Sequence, residues 1–426
     1  MGQLRQATSF AADLYRQRLS VASAGYLRRD PMSLLHLRPG RDDPYAIYAR
    51  MRRTGTMTPT RLGNWATTSH RLCNTVLRDR RFGVRPEGGP APSTEDIDLS
   101  FLEMNPPDHT RLRRLAQPAF SPRQIAAYRP RVEATTERLL GRAAAAGRFD
   151  LVPALASPLP IAVITDLLGI PNDDATDFAR WGADIGSAID GIRSLPHAVR
   201  LQKANTRLAA LFASLFELRR REPTDDLISR LVAAEPDQVR PHEMLSMCVL
   251  LLVAGFETTV NLIGNAVNAL LDHPDQWDAL CADPAGLAER AIEETLRYDP
   301  PVQRTARVAL QPLELDGAPV RKGQTVVTLI GAANRDPEAH PDPDRFDLGR
   351  TQTADHLAFS SGIHYCVGAP LARLEATVAL RGLAERMPRL RRDGAVRRRT
   401  SSAIRGPIHL PLRATAPARA GTATAR

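Results

Sequence analysis

The sequence predicts a mainly α-helical (α+β) protein that folds as one large domain with a small antiparallel β portion. Apolar residues recur at spacings of three and four through 132–140 and 208–218, which is the periodicity of amphipathic helices. After Asp299 the period changes to alternation, and Asp316-Gly317 supplies a turn signal. Because the 426 residues contain no internal repeat and no clear linker, these patterns indicate a single domain.

Several segments carry the elements of this fold. Residues 243–271 are too long and too apolar for an ordinary surface helix, so we expect a central helix that crosses the interior. Residues 326–330 predict a strand, 336–350 an irregular meander and 371–387 a further helix. Residues 401–413 are expected to form a last hairpin.

The ends of the chain differ from its middle. We interpret 1–40 as an N-terminal extension, 41–412 as the domain, and the Ala/Thr/Arg/Pro-rich 413–426 as a disordered tail. Arginines interrupt 1–29, which predicts neither a signal peptide nor a membrane anchor, and the apolar run 248–256 is too short to span a bilayer. We therefore expect a cytoplasmic protein.

Charge and cysteine usage exclude several classes of function. Lys and Arg outnumber Asp and Glu by 57 to 47, but the arginines are scattered among acids, and only 391–399 holds a dense cluster. A nucleic-acid binder concentrates its charge, so an acidic protein partner is favoured over nucleic acid. The four cysteines contain no CxxC pair, which indicates neither a zinc site nor a disulfide framework.

Cys366 is the candidate reactive residue. It precedes a helix that is expected to begin near Ala369-Pro370, and a sulfur at a helix N-terminus meets free N–H groups and the positive end of the dipole. Gly362 and Gly368 are expected to let backbone amides approach this sulfur. The alternative is a buried, unreactive thiol.

The run 359–368 resembles the haem-binding loop of the cytochrome P450 family, with Phe359, Gly362, His364, Cys366 and Gly368 at the characteristic positions. The resemblance implies a cytochrome P450 fold and a haem b cofactor whose iron is ligated axially by Cys366. Phe359, His364 and Gly368 would surround the haem. At position 360 this chain has serine where bacterial members commonly have glycine.

An acid and two threonines interrupt the apolar central helix at 254–259. A threonine hydroxyl can bond to the carbonyl one turn earlier and Gly255 weakens the helix, so we predict a bulge or kink here. The alternative is a core helix with a paired glutamate. The segment is similar to the family's oxygen-activation motif, which implies that Thr258 and Glu257 control proton delivery and that Ala254 contacts the haem.

Glu294 and Arg297 are three residues apart and therefore share a helix face, where they can pair. Alone, such a pair is common on surfaces and stabilises little. In the family, Glu-x-x-Arg is buried and joined to an arginine of the meander, which the resemblance assigns to Arg345. The role of the three residues would be structural.

Haem carries two propionates, so its pocket requires cations. The segment 106–113 is similar to the family segment that binds propionate, which implies His109 and Arg113, and Arg307 and His364 complete the family's set. Taken singly, each of these residues is equally consistent with a solvated charge. Asn105 stands where many members have aspartate.

Substrate contacts are expected from loop 83–104, from 173–200, and from four side chains: Val253, Val302, Gln303 and Ile404. This lining is apolar with few polar anchors, which suits a bulky, mainly hydrophobic small molecule, either free or bound to a carrier protein.

The resemblance implies a monooxygenase that uses O2 and electrons from NAD(P)H, in bacterial specialised-metabolite biosynthesis. Because the chain has no flavin or iron–sulfur motif, a ferredoxin and its reductase would deliver the electrons. Oxidative coupling and desaturation remain alternatives within this chemistry. A non-catalytic recruitment module is the alternative from another class, and the presence of both Cys366 and Thr258 disfavours it.

Overall fold

A computed structural model gives the fold of most of the chain. It describes residues 12, 14–61, 63–86, 98–171, 175–187, 192, 194–234, 238–351 and 353–414. The α-helices are α1 Pro31–His36, α2 Arg38–Asp42, α3 Pro44–Thr54, α4 His70–Arg78, α5 Asp108–Ala116, α6 Pro122–Ala146, α7 Pro158–Leu168, α8 Ala175–Gly186, α9 Leu195–Arg221, α10 Leu227–Val232, α11 Pro241–Asp272, α12 Pro274–Ala282, α13 Pro284–Tyr298, α14 Ile330–Ala333 and α15 Ala369–Arg386. The strands are β1 Met57–Pro59, β2 Trp65–Thr67, β3 Phe82–Gly83, β4 Arg148–Asp150, β5 Thr305–Ala309, β6 Leu313–Leu315, β7 Ala318–Val320, β8 Thr325–Thr328, β9 Leu390–Arg392, β10 Arg397–Arg398, β11 Pro407–His409 and β12 Pro411–Ala414. This composition confirms the predicted mainly α class.

Local sequence signals explain where many helices begin. Proline occupies the first turn of α3, α11 and α13, where its missing N–H costs no hydrogen bond. Asp43 and Asp283 cap α3 and α13, accepting hydrogen bonds from Tyr45 N and Gly286 N respectively. These caps satisfy backbone donors that would otherwise lack partners at the helix ends.

Helix α11 is the axis of the main core, as its apolar length predicted. It is long and apolar enough to cross a membrane, yet 83% of its most apolar window is buried inside the protein. Helices α7, α8, α13 and α15 pack around it. We therefore assign α11 as the core helix of the domain.

The strands form small sheets at the margin of the helices. The largest has the order β1-β2-β8-β5-β3, with β2 and β8 parallel and the other pairs antiparallel. The predicted terminal hairpin over 401–413 is wrong in its pairing. Strand β11 pairs with β10, whereas β12 pairs with β4 and β9, so the two last strands belong to different sheets.

The predicted boundary at residue 40 is also wrong. Met32, Leu34 and Leu35 are buried in a hydrophobic cluster with Leu329 and Ala332, so the domain already includes α1. At the other end, β12 continues to Ala414, which takes in the first two residues of the predicted tail, and the rest of that tail lies outside the described residues.

Candidate haem-thiolate site

Cys366 lies between a 3-10 turn, Gly362–His364, and helix α15. Its backbone N–H donates to Phe359 O at 2.9 Å, which closes the loop. The residue is accessible to solvent, although the surrounding protein still desolvates its thiol. Burial raises the pKa of the Cys366 thiol, while the N–H groups of Gly368 and Ala369 and the Arg113 guanidinium act in the opposite direction. The loop therefore offers the sulfur both enclosure and donors for a thiolate.

Two residues of this loop adopt left-handed backbone conformations. Gly362 has φ +70°, and a Cβ there would lie 2.5 Å from Leu77 O. Position 362 therefore requires glycine because the loop contacts α4 there. The expected reason was the approach of backbone amides to the sulfur, but those amides belong to Gly368 and Ala369. Ser360 has φ +64°, a conformation that favours glycine. This explains why a glycine is common at position 360.

Four basic side chains converge beside Cys366. His109 is buried, and neither ring nitrogen has a hydrogen-bond partner within the described part of the chain. Its ring lies 4.3 Å from that of His364. Arg113 donates to Tyr365 O at 2.6 Å, and Arg307, which is 5% exposed, donates to Ala306 O at 2.8 Å.

The electrostatics of this cluster fit a dianionic ligand. Burial and the charges of Arg113 and Arg307 lower the pKa of His109 to about 4, and burial followed by the same arginines and His109 lowers that of His364 to about 3. Burial alone lowers the pKa of Arg307 to about 10. Among the described residues, no carboxylate pairs with any of the four. Two haem propionates would supply the missing negative charge, so these residues fit the implied cofactor.

Helix α11 has a small accessible face at its middle. Ala254 is exposed and Gly255 and Thr258 are half-buried, although almost all of the neighbouring helix is buried. Thr258 Oγ1 donates to Ala254 O at 2.8 Å, as the sequence predicted. The helix is continuous through this segment, so the predicted bulge is absent.

Glu257 belongs to the opposite side of this turn and is 2% exposed. Its Oε1 lies 2.5 Å from Nη1 of Arg399, in the segment between β10 and β11. Its other oxygen lies so close to Gly186 of α8 that a Cβ there would overlap it. The acid is thus enclosed by α8 and the C-terminal segment.

Glu294 and Arg297 form a buried ion pair on α13, with Arg297 Nε 2.8 Å from Glu294 Oε2. The third member is not Arg345, whose side chain is 65% exposed and pairs with Asp347 at 3.5 Å. Arg350 takes this place, with its Nε 3.1 Å from Glu294 Oε1. Arg345 contributes only its carbonyl, which accepts from Arg297 at 2.9 Å and from Arg350 at 2.7 Å.

Two residues that the sequence did not single out connect these charges to the cysteine loop. Asn334 donates to Leu296 O on α13 and accepts from Leu357 N, two residues before Phe359. The Arg373 guanidinium lies 4.6 Å from the centre of the Phe359 ring and pairs with Glu293 at 2.6 Å. No local pattern distinguishes Asn334, but the placement of Arg373 seven residues after Cys366, just past the first turn of α15, was a usable signal.

The four side chains that were predicted to contact substrate differ in their surroundings. Val302 and Ile404 are joined by an antiparallel bridge, which places the two residues side by side. Val253 is 2% exposed within the main core, beside the accessible face of α11. Gln303 was assigned wrongly, because its amide is buried and engaged with Tyr45, Tyr48 and Pro300 O. Of the two predicted segments, 87–97 and parts of 173–193 lie outside the described residues.

A predominantly helical domain that presents a cysteine before a helix, next to an acid-free basic cluster, defines a haem-thiolate protein. The family model for cytochrome P450 matches residues 286–386. The chain is 41% identical over 387 residues to cytochrome P450 monooxygenase PikC of Streptomyces venezuelae, covering 87% of this chain and 91% of that protein. It is 39% identical over 395 residues to 6-deoxyerythronolide B hydroxylase of Saccharopolyspora erythraea, covering 87% and 96% respectively.

Solved structures agree with these relatives. The structure of P450BioI in complex with an acyl carrier protein bearing hexadec-9Z-enoic acid has a TM-score of 0.82 at 36% identity, covering 88% of this chain and 98% of that one. The chain belongs to the cytochrome P450 family and is a monooxygenase. Enzymes of this family carry haem iron, use O2 and receive electrons from redox partners.

Proposed function

We propose that this chain hydroxylates a bulky, mainly apolar metabolite of bacterial specialised metabolism, with Cys366 as the axial ligand of its haem iron. The observation that carries the proposal is the acid-free cluster of His109, Arg113, Arg307 and His364 at the cysteine loop. Two propionates would neutralise this cluster, and the adjacent sulfur would complete the site.

Haem with a thiolate ligand supplies oxygen activation, because electron donation from sulfur favours O–O cleavage. The chain holds the sulfur with the N–H groups of Gly368 and Ala369. Thr258 presents its hydroxyl on the accessible face of α11, anchored to Ala254 O, and would pass protons into the site. Glu257, the residue before Thr258 on the same helix, would be the proton source. Arg399 holds the Glu257 carboxylate in place.

The names of two relatives guide the choice of substrate class. One relative is named a hydroxylase of 6-deoxyerythronolide B, and a second is named a C-12 hydroxylase of erythromycin. For this chain, Val302 and Ile404 would contribute to an apolar wall for a compound of comparable bulk. Electrons would come from NAD(P)H through a ferredoxin and its reductase, in the cytoplasm.

The ligand assignment is tested by the carbon monoxide spectrum of the reduced protein. We expect the strongly red-shifted Soret band of a thiolate-ligated haem. Cys366→Ser should lose this band, whereas Cys248→Ser, which changes a buried thiol on α11, should keep it. An unshifted band in the unaltered protein would refute Cys366 as the ligand.

The proton-delivery assignment is tested by Thr258→Ala. This variant should keep haem and substrate binding but release consumed oxygen as hydrogen peroxide. Thr259→Ala is the matched control, because Thr259 is buried and donates to Gly255 O at 3.2 Å. Equal coupling of oxygen consumption to product in the two variants would remove Thr258 from the proton path.

A further inference from the structure

Helix α9 carries a row of three basic side chains without counter-charges. Arg200, Lys203 and Arg207 are spaced at i, i+3 and i+7, which places them along one side of the helix. All three are exposed, and no acid within the described part of the chain pairs with any of them. The helix contains no Asp or Glu before Glu217, so nothing on α9 itself offsets the row.

Exposed apolar side chains lie at the N-terminal end of the same helix. Leu195 is 37% and Val199 49% exposed, and Ile192 in the preceding connection is 37% exposed. A row of cations beside a few apolar side chains has the composition of a protein-docking surface, where charges orient the partner and apolar contacts hold it.

This surface begins close to the elements that enclose the oxygen-activation turn. The His197 ring contacts Ser187 Oγ at 2.7 Å, which joins the first turn of α9 to the end of α8. One residue earlier, Gly186 packs against the carboxylate of Glu257. A partner seated on Arg200, Lys203 and Arg207 would therefore lie next to the end of α8 and could present a tethered substrate from there.

We infer that Arg200, Lys203 and Arg207 dock an acidic carrier protein that delivers the substrate as a thioester. The inference rests on the proposed hydroxylase function and specifies the form in which its substrate arrives. Carrier proteins are small and acidic, which matches the uncompensated positive row. P450BioI, which has the same fold at 36% identity, is known in complex with an acyl carrier protein. An anionic membrane is disfavoured, because only Leu195 and Val199 of α9 are exposed large apolar residues.

The test uses the haem-loaded full chain and an isotope-labelled acyl carrier protein bearing hexadec-9Z-enoic acid. Binding is measured from the chemical-shift changes of the carrier protein, which do not depend on how well the acyl chain fits the pocket. Arg200→Glu/Lys203→Glu/Arg207→Glu should weaken binding roughly 10-fold or more, since three attractive contacts are lost and the reversed charges repel an acidic partner. Binding to the unaltered protein should weaken as salt is added.

The matched control is Arg123→Glu/Arg138→Glu/Arg142→Glu, which reverses three exposed charges on α6. The control should bind the carrier protein as the unaltered chain does. No binding by the unaltered chain, or equal loss in both triple variants, would overturn the inference. Binding to phosphatidylglycerol vesicles that only the α9 variant loses would also overturn it, in favour of a lipid surface. A normal carbon monoxide spectrum in every sample separates these outcomes from failure of the proposed function.

Discussion

Glu257 is held by Arg399: the carboxylate Oε1 and the guanidinium Nη1 lie 2.5 Å apart, and the glutamate side chain is 3% exposed. The acid of the oxygen-activation segment is therefore tied to the chain 142 residues further on. Within the cluster at 391–399, two other arginines are also half-buried and paired with acids, Arg392 with Asp272 and Arg398 with Asp299. Three of the five arginines in the densest run of positive charge are therefore paired with acids of the same chain. Only Arg391 and Arg397 of this run are classed as exposed.

Arg399→Ala is expected to affect both stability and oxygen chemistry. Removing the cation leaves a buried carboxylate without its ion partner, which should cost roughly 2–3 kcal/mol of unfolding free energy, discounted from the fully buried case because Arg399 is 21% exposed. The displaced Glu257 should deliver protons poorly, so more of the consumed oxygen should appear as hydrogen peroxide. Denaturant unfolding and the ratio of product to oxygen consumed measure the two effects.

Arg399→Lys is the control for this experiment, because lysine keeps the charge but not the planar donor geometry. It should recover most of the stability and part of the coupling. If Arg399→Ala leaves coupling unchanged while lowering stability, the ion pair is structural only.

Arg350→Ala should destabilise the proximal side far more than Arg345→Ala. Arg350 is 10% exposed and pairs with Glu294, so its loss leaves a buried carboxylate partly uncompensated and should cost about 3 kcal/mol. Arg345 is 65% exposed and its pair with Asp347 should contribute less than about 0.5 kcal/mol. Denaturant unfolding and the haem-to-protein absorbance ratio compare the two variants. Equal losses of stability and haem content in the two variants would make Arg345 the residue that joins the Glu294–Arg297 pair.

These two arginines show where sequence reasoning stops. The long helices were predictable because their burial follows a 3.6-residue period, and Cys366 was singled out because the residues around it resemble the haem-binding loop of the family. The meander that carries Arg345 and Arg350 has no period, so the motif alone could not decide which of two arginines five residues apart turns inward. Only the three-dimensional path of the backbone brings Arg350 to Glu294. Likewise, no local signal relates Arg399 to Glu257.

Ser360→Gly should stabilise the cysteine loop. A non-glycine residue at φ +64° costs about 1 kcal/mol, and Ser360 Oγ is buried without a hydrogen-bond partner among the residues that the structure describes. Glycine removes both penalties but adds freedom to the unfolded chain, so we expect a net gain of about 1 kcal/mol in denaturant unfolding. Ser360→Ala separates the two causes, since it removes the hydroxyl and keeps the backbone strain. A stability gain in the alanine variant equal to that in the glycine variant would exclude strain as the cause.

Glu375 should make stability fall as the pH rises. The residue is 2% exposed on α15, its Oε2 has no hydrogen-bond partner among the described residues, and burial raises its pKa from 4.5 to about 8. Between these values the folded chain keeps a proton that the unfolded chain has released. Rising pH therefore favours unfolding across this window, and the effect ends above about pH 8. Glu375→Gln, which keeps the shape and cannot ionise, should remove this part of the pH dependence and should be more stable than the unaltered chain at pH 8. The measurement is unfolding free energy from pH 5 to pH 9 in both proteins, and parallel curves would show that Glu375 does not hold its proton in the folded state.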